Sequence, residues 1–405
     1  MGLGRILKKH FPPIILLLSL LSAFPPLATD MYLPALPLLQ REWQAPLVMI
    51  NLTLVAFFVT YCAFLLLYGP LSDRYGRKPP LLAGVGLFTF ACLLCAAALN
   101  PAMLICGRIL QGAGAAAATA IVFAVSKDRF SGRQRQRVFV QIGAIVAAAP
   151  MLAPILGGWL LTLFSWRWIF LLQTVLGGVA FVGVTRMDES LRQQTAPGLA
   201  QAAVSYLGLF RNRRYMLLLL TLSCTCVPIF AFIGGSPDLY ITRLGFDERQ
   251  FGYFFGFNSL AFILAPLTFS RVARYAPVTR LLPWAFSGML AASLLLLCTW
   301  IPLPWRLTLP MFSLSFAFSF CRPASNNLIL EQVDRDAGAA SSLMVFFYFM
   351  IGALAMWLFS FDWEDKIQTL GWMGVAAVGC TFALWPVAKR HLRPVSGRGG
   401  RGEDG

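Results

Sequence analysis

Stretches of about 20 apolar residues recur from one end of this chain to the other. At a helical rise of 1.5 Å per residue, each can cross the roughly 30 Å hydrocarbon core of a bilayer. Lipid offers no hydrogen bonds to the backbone, so a lone apolar run of this length crosses as a helix. Twelve such runs can be placed, at about residues 12–37, 47–70, 79–98, 102–125, 138–163, 168–184, 214–236, 250–270, 281–300, 307–330, 339–361 and 367–388. Composition agrees: of 405 residues, 58% are hydrophobic and 12% charged, whereas soluble chains carry about 25% charged residues. A water-facing surface could not be covered, which excludes a soluble enzyme or a nucleic-acid-binding module. The expected class is an all-α integral membrane protein in contact with the lipid bilayer.

The net charge of +16 would point to nucleic acid in a soluble protein; here its distribution assigns topology instead. Alternate connections, together with the two ends, hold 25 Lys and Arg residues, and the remaining connections hold 6. Under the positive-inside rule both termini are cytoplasmic. Arg5, Lys8 and Lys9 ahead of an apolar run mimic a signal peptide. The run continues past any h-region length, and no small-residue cleavage site precedes Asp30. The nine cysteines lie within spans and the two histidines in the cytoplasmic ends, so neither a metal site, a disulfide framework nor a cofactor is expected. Cys92 and Cys95 read as buried small hydrophobes.

The longest connection, 185–213, is a Gln, Ala, Pro and Gly mixture that divides the spans six and six. The expected domains are an N-terminal six-helix bundle over 1–184, a cytoplasmic linker over 185–213, a C-terminal bundle over 214–388 and a disordered basic tail over 389–405. A shift of 200 lays Arg74, Tyr75, Leu81 and Leu82 over Arg274, Tyr275, Leu281 and Leu282, as a duplicated bundle requires. The same shift puts Phe230 against Asp30, so the second half has no matching acid.

Between the second and third runs the chain reads Gly69-Pro70-Leu71-Ser72-Asp73-Arg74-Tyr75-Gly76-Arg77-Lys78. This resembles the loop signature of the major facilitator superfamily. Arg108-Ile109-Leu110-Gln111-Gly112 in the fourth run agrees with it. So does Ala153-Pro154-Ile155-Leu156-Gly157-Gly158 in the fifth, which resembles an antiporter signature with Ala153 replacing its first glycine. Ala28-Thr29-Asp30-Met31-Tyr32-Leu33-Pro34 in the first run narrows the resemblance to the Bcr/CflA drug:proton antiporters. The resemblance covers all twelve runs. It implies two pseudo-symmetric six-helix bundles in a bacterial inner membrane, a monomer driven by the proton gradient with no cofactor, and small amphipathic drug-like cargo such as bicyclomycin- or chloramphenicol-like molecules. Export of an endogenous metabolite, a siderophore or an amino acid, remains an alternative. A polytopic membrane enzyme would need clustered His, Asp or Glu or a long catalytic loop, and the sequence has neither.

The residues have physical readings of their own. Gly69 and Gly76 allow close approach around a tight loop, and Arg74, Arg77 and Lys78 hold the cytoplasmic face. Asp73 can meet the positive N-terminus of the eleventh span near Ala339, and the resemblance implies that this contact is a conformational latch. Pro154, Gly157 and Gly158 predict a bent, tightly packed fifth span, and Pro25, Pro26 and Pro34 an irregular first one. Asp30 is the one carboxylate placed inside the membrane, where it costs at least about 2.5 to 3.5 kcal/mol and demands a partner. Arg108, at a similar depth of about 11 to 12 Å, is the expected partner. The pair would either switch a proton as its surroundings change or stand as a static ion pair. Gln111 shares the Arg108 face and, with Asn258 after Phe254-Phe255-Gly256-Phe257, is a candidate cargo contact. Arg322 has two readings: facing the cavity, or snorkelling to the cytoplasm.

Overall fold

A computed structural model describes residues 13–191, 199–333 and 336–390. The basic tail expected from residue 389 lies outside the described residues beyond Arg390, where the last helix ends. In order, the spans are one Pro13–Trp43, two Leu47–Tyr75, three Lys78–Ala96, four Pro101–Arg129, five Gly132–Leu163 and six Arg167–Thr185. The second set is seven Arg213–Arg243, eight Glu248–Val272, nine Val278–Leu297, ten Trp305–Leu330, eleven Ala337–Phe359 and twelve Lys366–Arg390. Among the described residues eleven of these helices are both long and apolar enough to cross a membrane. Span ten has the length, 26 residues, but is made more polar by Arg306, Arg322 and its serines and asparagines. The fold is the expected one: an all-helical membrane protein of two six-helix bundles. The shift of 200 recurs in the element bounds, since span one runs 13–43 and span seven 213–243.

The linker is more structured than its composition suggests. A helix, Leu199–Arg211, lies between the halves, and Tyr206 on it donates to the Leu66 carbonyl of span two at 3.0 Å. Span one is irregular as expected: helix Pro13–Ser22, helix Phe24–Asp30, a 3₁₀ turn Leu33–Ala35 and helix Leu36–Trp43. Span five is not broken by its prolines and runs continuously from Gly132 to Leu163. Pro154 has no N–H for the carbonyl of Pro150, four residues earlier. That carbonyl accepts instead from the Ser259 hydroxyl of span eight, at 3.0 Å.

The two faces of the membrane domain differ. On the face without the basic loops, called here the far face, the bundles are sealed. Asn51 of span two donates to Ser360 Oγ at 2.7 Å and to the Gly234 carbonyl at 3.3 Å. Spans five and eight approach so closely there that a Cβ on Gly252 would sit 2.9 Å from the Pro154 carbonyl oxygen. Deeper in, Phe58 and Tyr61 of span two pack on Phe349 of span eleven at centroid distances of 5.5 and 5.4 Å, and Phe230 of span seven joins them. Aromatic pairs of this kind contribute about 0.5 to 1.5 kcal/mol each beyond their area. On the basic face a cavity of about 520 Å³ separates spans two and four from span eleven.

Candidate functional site

The site is organised by the break in span one. After Asp30 the helix stops, and the N–H groups of Met31 and Tyr32 turn to the Thr29 carbonyl. The carbonyls of Leu27 and Ala28, which those groups would serve in a continuous helix, are left free. Gln173 of span six donates to Leu27 at 3.0 Å, and Arg108 of span four donates to Ala28 at 2.8 Å. Arg108 also donates to the Thr53 carbonyl at 3.3 Å and to Gln111 Oε1. Its guanidinium lies 4.5 Å from the Phe57 ring centroid and 5.0 Å from that of Tyr32. Gln111 continues the chain of bonds to Gln173 Oε1 at 2.7 Å and to Cys92 Sγ at 3.1 Å.

The expected Asp30 and Arg108 ion pair is therefore not formed in this conformation. The reason is geometric: the break that ends the helix at Asp30 frees the Ala28 carbonyl, which holds the guanidinium by its Nη1, while Nε is held by the Thr53 carbonyl of span two. Asp30 is 8% exposed, and among the described residues no lysine or arginine pairs with it. Its Oδ1 lies 2.9 Å from the Thr29 hydroxyl, which is also 3.0 Å from the Pro25 carbonyl. A hydroxyl has one proton and accepts as readily as it donates. It can donate to an ionised Asp30, or accept from a protonated one while donating to Pro25.

Gln111 is fully buried in the network rather than on a cavity wall. Asn258 is likewise buried and exchanges two hydrogen bonds with Ser315 of span ten, at 3.1 and 3.2 Å. Both positions were expected to meet cargo; in this state neither faces open space, because each amide is satisfied inside its own bundle. Arg322 does not snorkel. Its guanidinium lies 3.6 Å from the Tyr348 ring centroid of span eleven and 5.3 Å from that of Phe318.

The loop after span two is held from below. Arg77 donates to Asp73 and to Ser72 Oγ, and at 2.9 Å to Asp128 at the end of span four. Arg74 lies over the Tyr75 ring instead. Gly76 has φ +93, and a Cβ there would fall 2.6 Å from the Glu189 carboxylate. Glu189, which sequence reasoning passed over, accepts from the backbone N–H groups of Arg77, Lys78, Ser190 and Leu191 and so caps span three. Partial burial works to raise its carboxyl, but those N–H groups outweigh it and hold it below the usual carboxylate value. The close approach expected at Gly69 is not made, since nothing lies within 4 Å of an added Cβ. Gly69 and Asp73 line the cavity on the basic face, across from Gly338, Ala339, Ser341 and Ser342 at the start of span eleven. The two parts of the expected latch face each other and are not joined.

Gly157 and Gly158 have a clear packing role. A Cβ on Gly157 would strike the Met31 carbonyl at the break in span one, and one on Gly158 the Glu248 carbonyl of span eight. Sequence reasoning also missed Asp238, placed outside span seven. The span continues through Pro237 to Arg243, and Asp238 is buried against Lys366 Nζ at 2.9 Å, with Arg243 Nε at 3.4 Å. Span twelve's lysine is what allows the acid to be covered.

Comparison with known proteins gives a consistent answer. The Major Facilitator Superfamily family model matches residues 18–356. An uncharacterized MFS-type transporter, YdgK, of Bacillus subtilis (strain 168) is 29% identical over 93% of this chain and 95% of its own length. The bicyclomycin resistance protein homolog of Haemophilus influenzae is 27% identical over 94% and 97%. Multidrug resistance protein MdtL of Klebsiella pneumoniae (strain 342) is 28% identical over 82% and 84%. Among solved structures, a D-xylose-proton symporter superposes with a TM-score of 0.75 at 15% identity, covering 94% of this chain and 99% of that one. An inward-facing bacterial homolog of the lysosomal transporter Spinster gives 0.69 at 12% identity, covering 94% and 98%.

Proposed function

The chain belongs to the Major Facilitator Superfamily, a transporter rather than an enzyme, and on that premise we propose that it is a proton-coupled antiporter expelling small amphipathic drug-like molecules by alternating access. The relatives named for bicyclomycin and multidrug resistance support drug-like cargo. The observation that carries the proton reading is Asp30: a buried carboxylate at a break in span one, with a hydroxyl partner that serves either protonation state. A carboxylate at membrane depth is costly unless it is protonated, paired or watered. Arg108 is bonded two residues away, at Ala28. A change in the break that frees Arg108 from that carbonyl would let it reach Asp30 and displace the proton, whereas the conformation seen here keeps the cation elsewhere.

The state in which the far face is sealed and the basic face is open is cytoplasm-open, given the positive-inside assignment of both termini to the cytoplasm of a bacterial inner membrane. Cargo then enters from the cytoplasm into the 520 Å³ cavity. A monomer driven by the proton gradient alone completes the cycle. The experiment is substrate-driven proton movement in vesicles holding purified protein, wild type against Asp30→Asn. Asparagine removes the titrating group together with its burial cost, so the variant should insert normally and exchange cargo down its gradient without moving protons. Full proton-driven uphill export by Asp30→Asn would refute the assignment.

A further inference from the structure

The linker helix Leu199–Arg211 presents an apolar face that the rest of the described protein does not cover. From 190 to 237 the chain carries no Asp or Glu, so the only charges on this helix and on its junction with span seven are arginines. Ala202, Ser205, Tyr206 and Leu209 turn inward: the first three line the cavity on the basic face, and Leu209 is buried. The opposite face is open, with Val204 66%, Leu207 59% and Phe210 49% exposed at helical spacings of three. Arg211, Arg213 and Arg214 follow at the turn into span seven. All three are exposed, and among the described residues none forms an ion pair.

The depth of the helix decides what meets that face. The Tyr206 hydroxyl donates to the Leu66 carbonyl of span two at 3.0 Å, and Ser342 of span eleven lies beside the same hydroxyl. Leu66 is nine residues before the end of span two and four before the end of its apolar run at 70, so it lies about 6 Å inside the hydrocarbon edge by helical rise. Phe210 packs on Phe347 of span eleven at a centroid distance of 6.1 Å. The helix is thus held against spans two and eleven at the boundary between acyl chains and headgroups. Leu67, next to the carbonyl that Tyr206 bonds, is 48% exposed, so lipid-facing surface continues at this level. An apolar stripe with cations at its edge is the pattern of a helix that lies in a membrane interface, and each basic residue near anionic lipid adds to the attraction.

We propose that the outer face of Leu199–Arg211 is a docking surface for anionic phospholipids of the cytoplasmic leaflet: Val204, Leu207 and Phe210 enter the acyl-chain boundary, and Arg211, Arg213 and Arg214 hold the anionic headgroups. By its inner face the same helix walls the cavity off from that leaflet. A second copy of the chain fits this face less well, because it would bring the same acid-free, basic segment to the contact. Neither cargo nor a proton gradient enters the inference, so it and the antiport reading stand or fall separately.

The test places a bimane fluorophore on Leu207→Cys in the full-length, otherwise cysteine-free protein, reconstituted in mixed vesicles of phosphatidylcholine and phosphatidylglycerol. Each lipid in turn carries an acyl-chain nitroxide quencher at the same mole fraction. The phosphatidylglycerol quencher should be the stronger, reporting enrichment of that lipid at the helix. Replacing Arg211, Arg213 and Arg214 together by Gln should abolish the enrichment, by up to about fivefold per arginine, and high salt should weaken it in the unsubstituted helix. A label on Leu294→Cys, exposed near the far end of span nine, should show no preference in either protein. If the triple variant does not insert, Arg211→Gln, Arg213→Gln and Arg214→Gln carry the comparison singly, each with a partial loss. Equal quenching by the two lipids at Leu207→Cys, or a preference that survives loss of the arginines, would overturn the proposal. Absence of quenching by either lipid, with crosslinks between copies through Leu207→Cys, would overturn it in favour of a second copy.

Discussion

Gly158→Ala should push the transporter out of the far-face-sealed state. A Cβ at this position would sit against the Glu248 carbonyl oxygen, 2.9 Å from its carbonyl carbon and 3.2 Å from Arg249 Cα. All three are backbone atoms, so no side chain can rotate out of the way. Restoring an ordinary carbon contact of about 3.5 to 4.0 Å requires span eight to retreat by roughly 0.6 to 1.1 Å. Overpacking of this kind costs about 1 to 3 kcal/mol. Spans five and eight belong to different bundles, so the strain exists only while the far face is closed and vanishes when the bundles part there. A cost of 1 to 3 kcal/mol applied to one state alone changes the two-state ratio by about 5- to 150-fold. The readout is labelling of Ser360→Cys in a cysteine-free background, because Ser360 is buried in the seal beside Asn51 and becomes reachable only when the seal opens. Labelling should accelerate by that factor with Gly158→Ala. It should not change with Gly143→Ala in the same helix, where nothing lies within 4 Å of the added carbon. Folded Gly158→Ala protein that labels at the wild-type rate would show that the span five and eight contact does not hold the state.

Thr29→Val should shift the pH dependence of proton-driven export while Thr29→Ser preserves it, since only a hydroxyl can serve Asp30 both as donor and as acceptor; identical pH profiles for Val and Ser would deny the hydroxyl that role. Asp73→Asn should raise the population open on the basic face by at most about fivefold, because the contact it forgoes with the start of span eleven contributes about 0.3 to 1 kcal/mol; unchanged cysteine accessibility at that cavity would count against the latch. Glu189 carries a carboxyl held low in the folded protein, so its contribution to stability is complete above the ordinary glutamate value and is lost as pH falls through the lower folded value. Thermal stability of wild type should accordingly exceed that of Glu189→Gln by a constant margin above about pH 4.5, narrowing below it, and a margin that widens in acid would refute the capping account.

Much of this was readable from the sequence because the physics was local. Spans and their basic loops follow from residue counts, and the break in span one follows from Pro25, Pro26 and Pro34. The glycine at 76 follows from a tight loop, and its φ of +93 bears that out. What could not be read was who satisfies whom. That Arg108 would bond Ala28 rather than Asp30 depends on which carbonyls the break exposes, a matter of rotation about an irregular helix that spacing does not encode. Gln173 sits in an apolar run with nothing to mark it, yet it joins spans one, four and six. Asp238 and Lys366 stand 128 residues apart in sequence and each, read alone, looks like a span boundary. Pro237 ahead of Asp238 points the same way, since proline more often ends a helix than continues one.

The irregular places found separately in the two halves turn out to be adjacent. Asp30 is followed by Met31, whose carbonyl is covered by Gly157; the next residue, Gly158, covers the Glu248 carbonyl of span eight. Two consecutive glycines thus set one backbone contact against the break at the acid and another against the partner bundle, with no side chain between to absorb a displacement. A change in the break, such as Arg108 leaving the Ala28 carbonyl to meet an ionised Asp30, would move the Met31 carbonyl. Span five would have to follow it, because a close-packed backbone contact transmits displacement rather than yielding. The Pro150 carbonyl, freed by Pro154 and bonded to Ser259, gives that same stretch of span five a second hold on span eight. On the antiport reading proposed above, protonation of Asp30 and closure of the far face would be linked by contacts spanning residues 30, 31, 157, 158 and 248. The antiporter-like motif in span five sits between the two: Gly157 meets the segment that carries Asp30 and Gly158 meets the opposing bundle, so bulk added at either should disturb gating before it prevents folding.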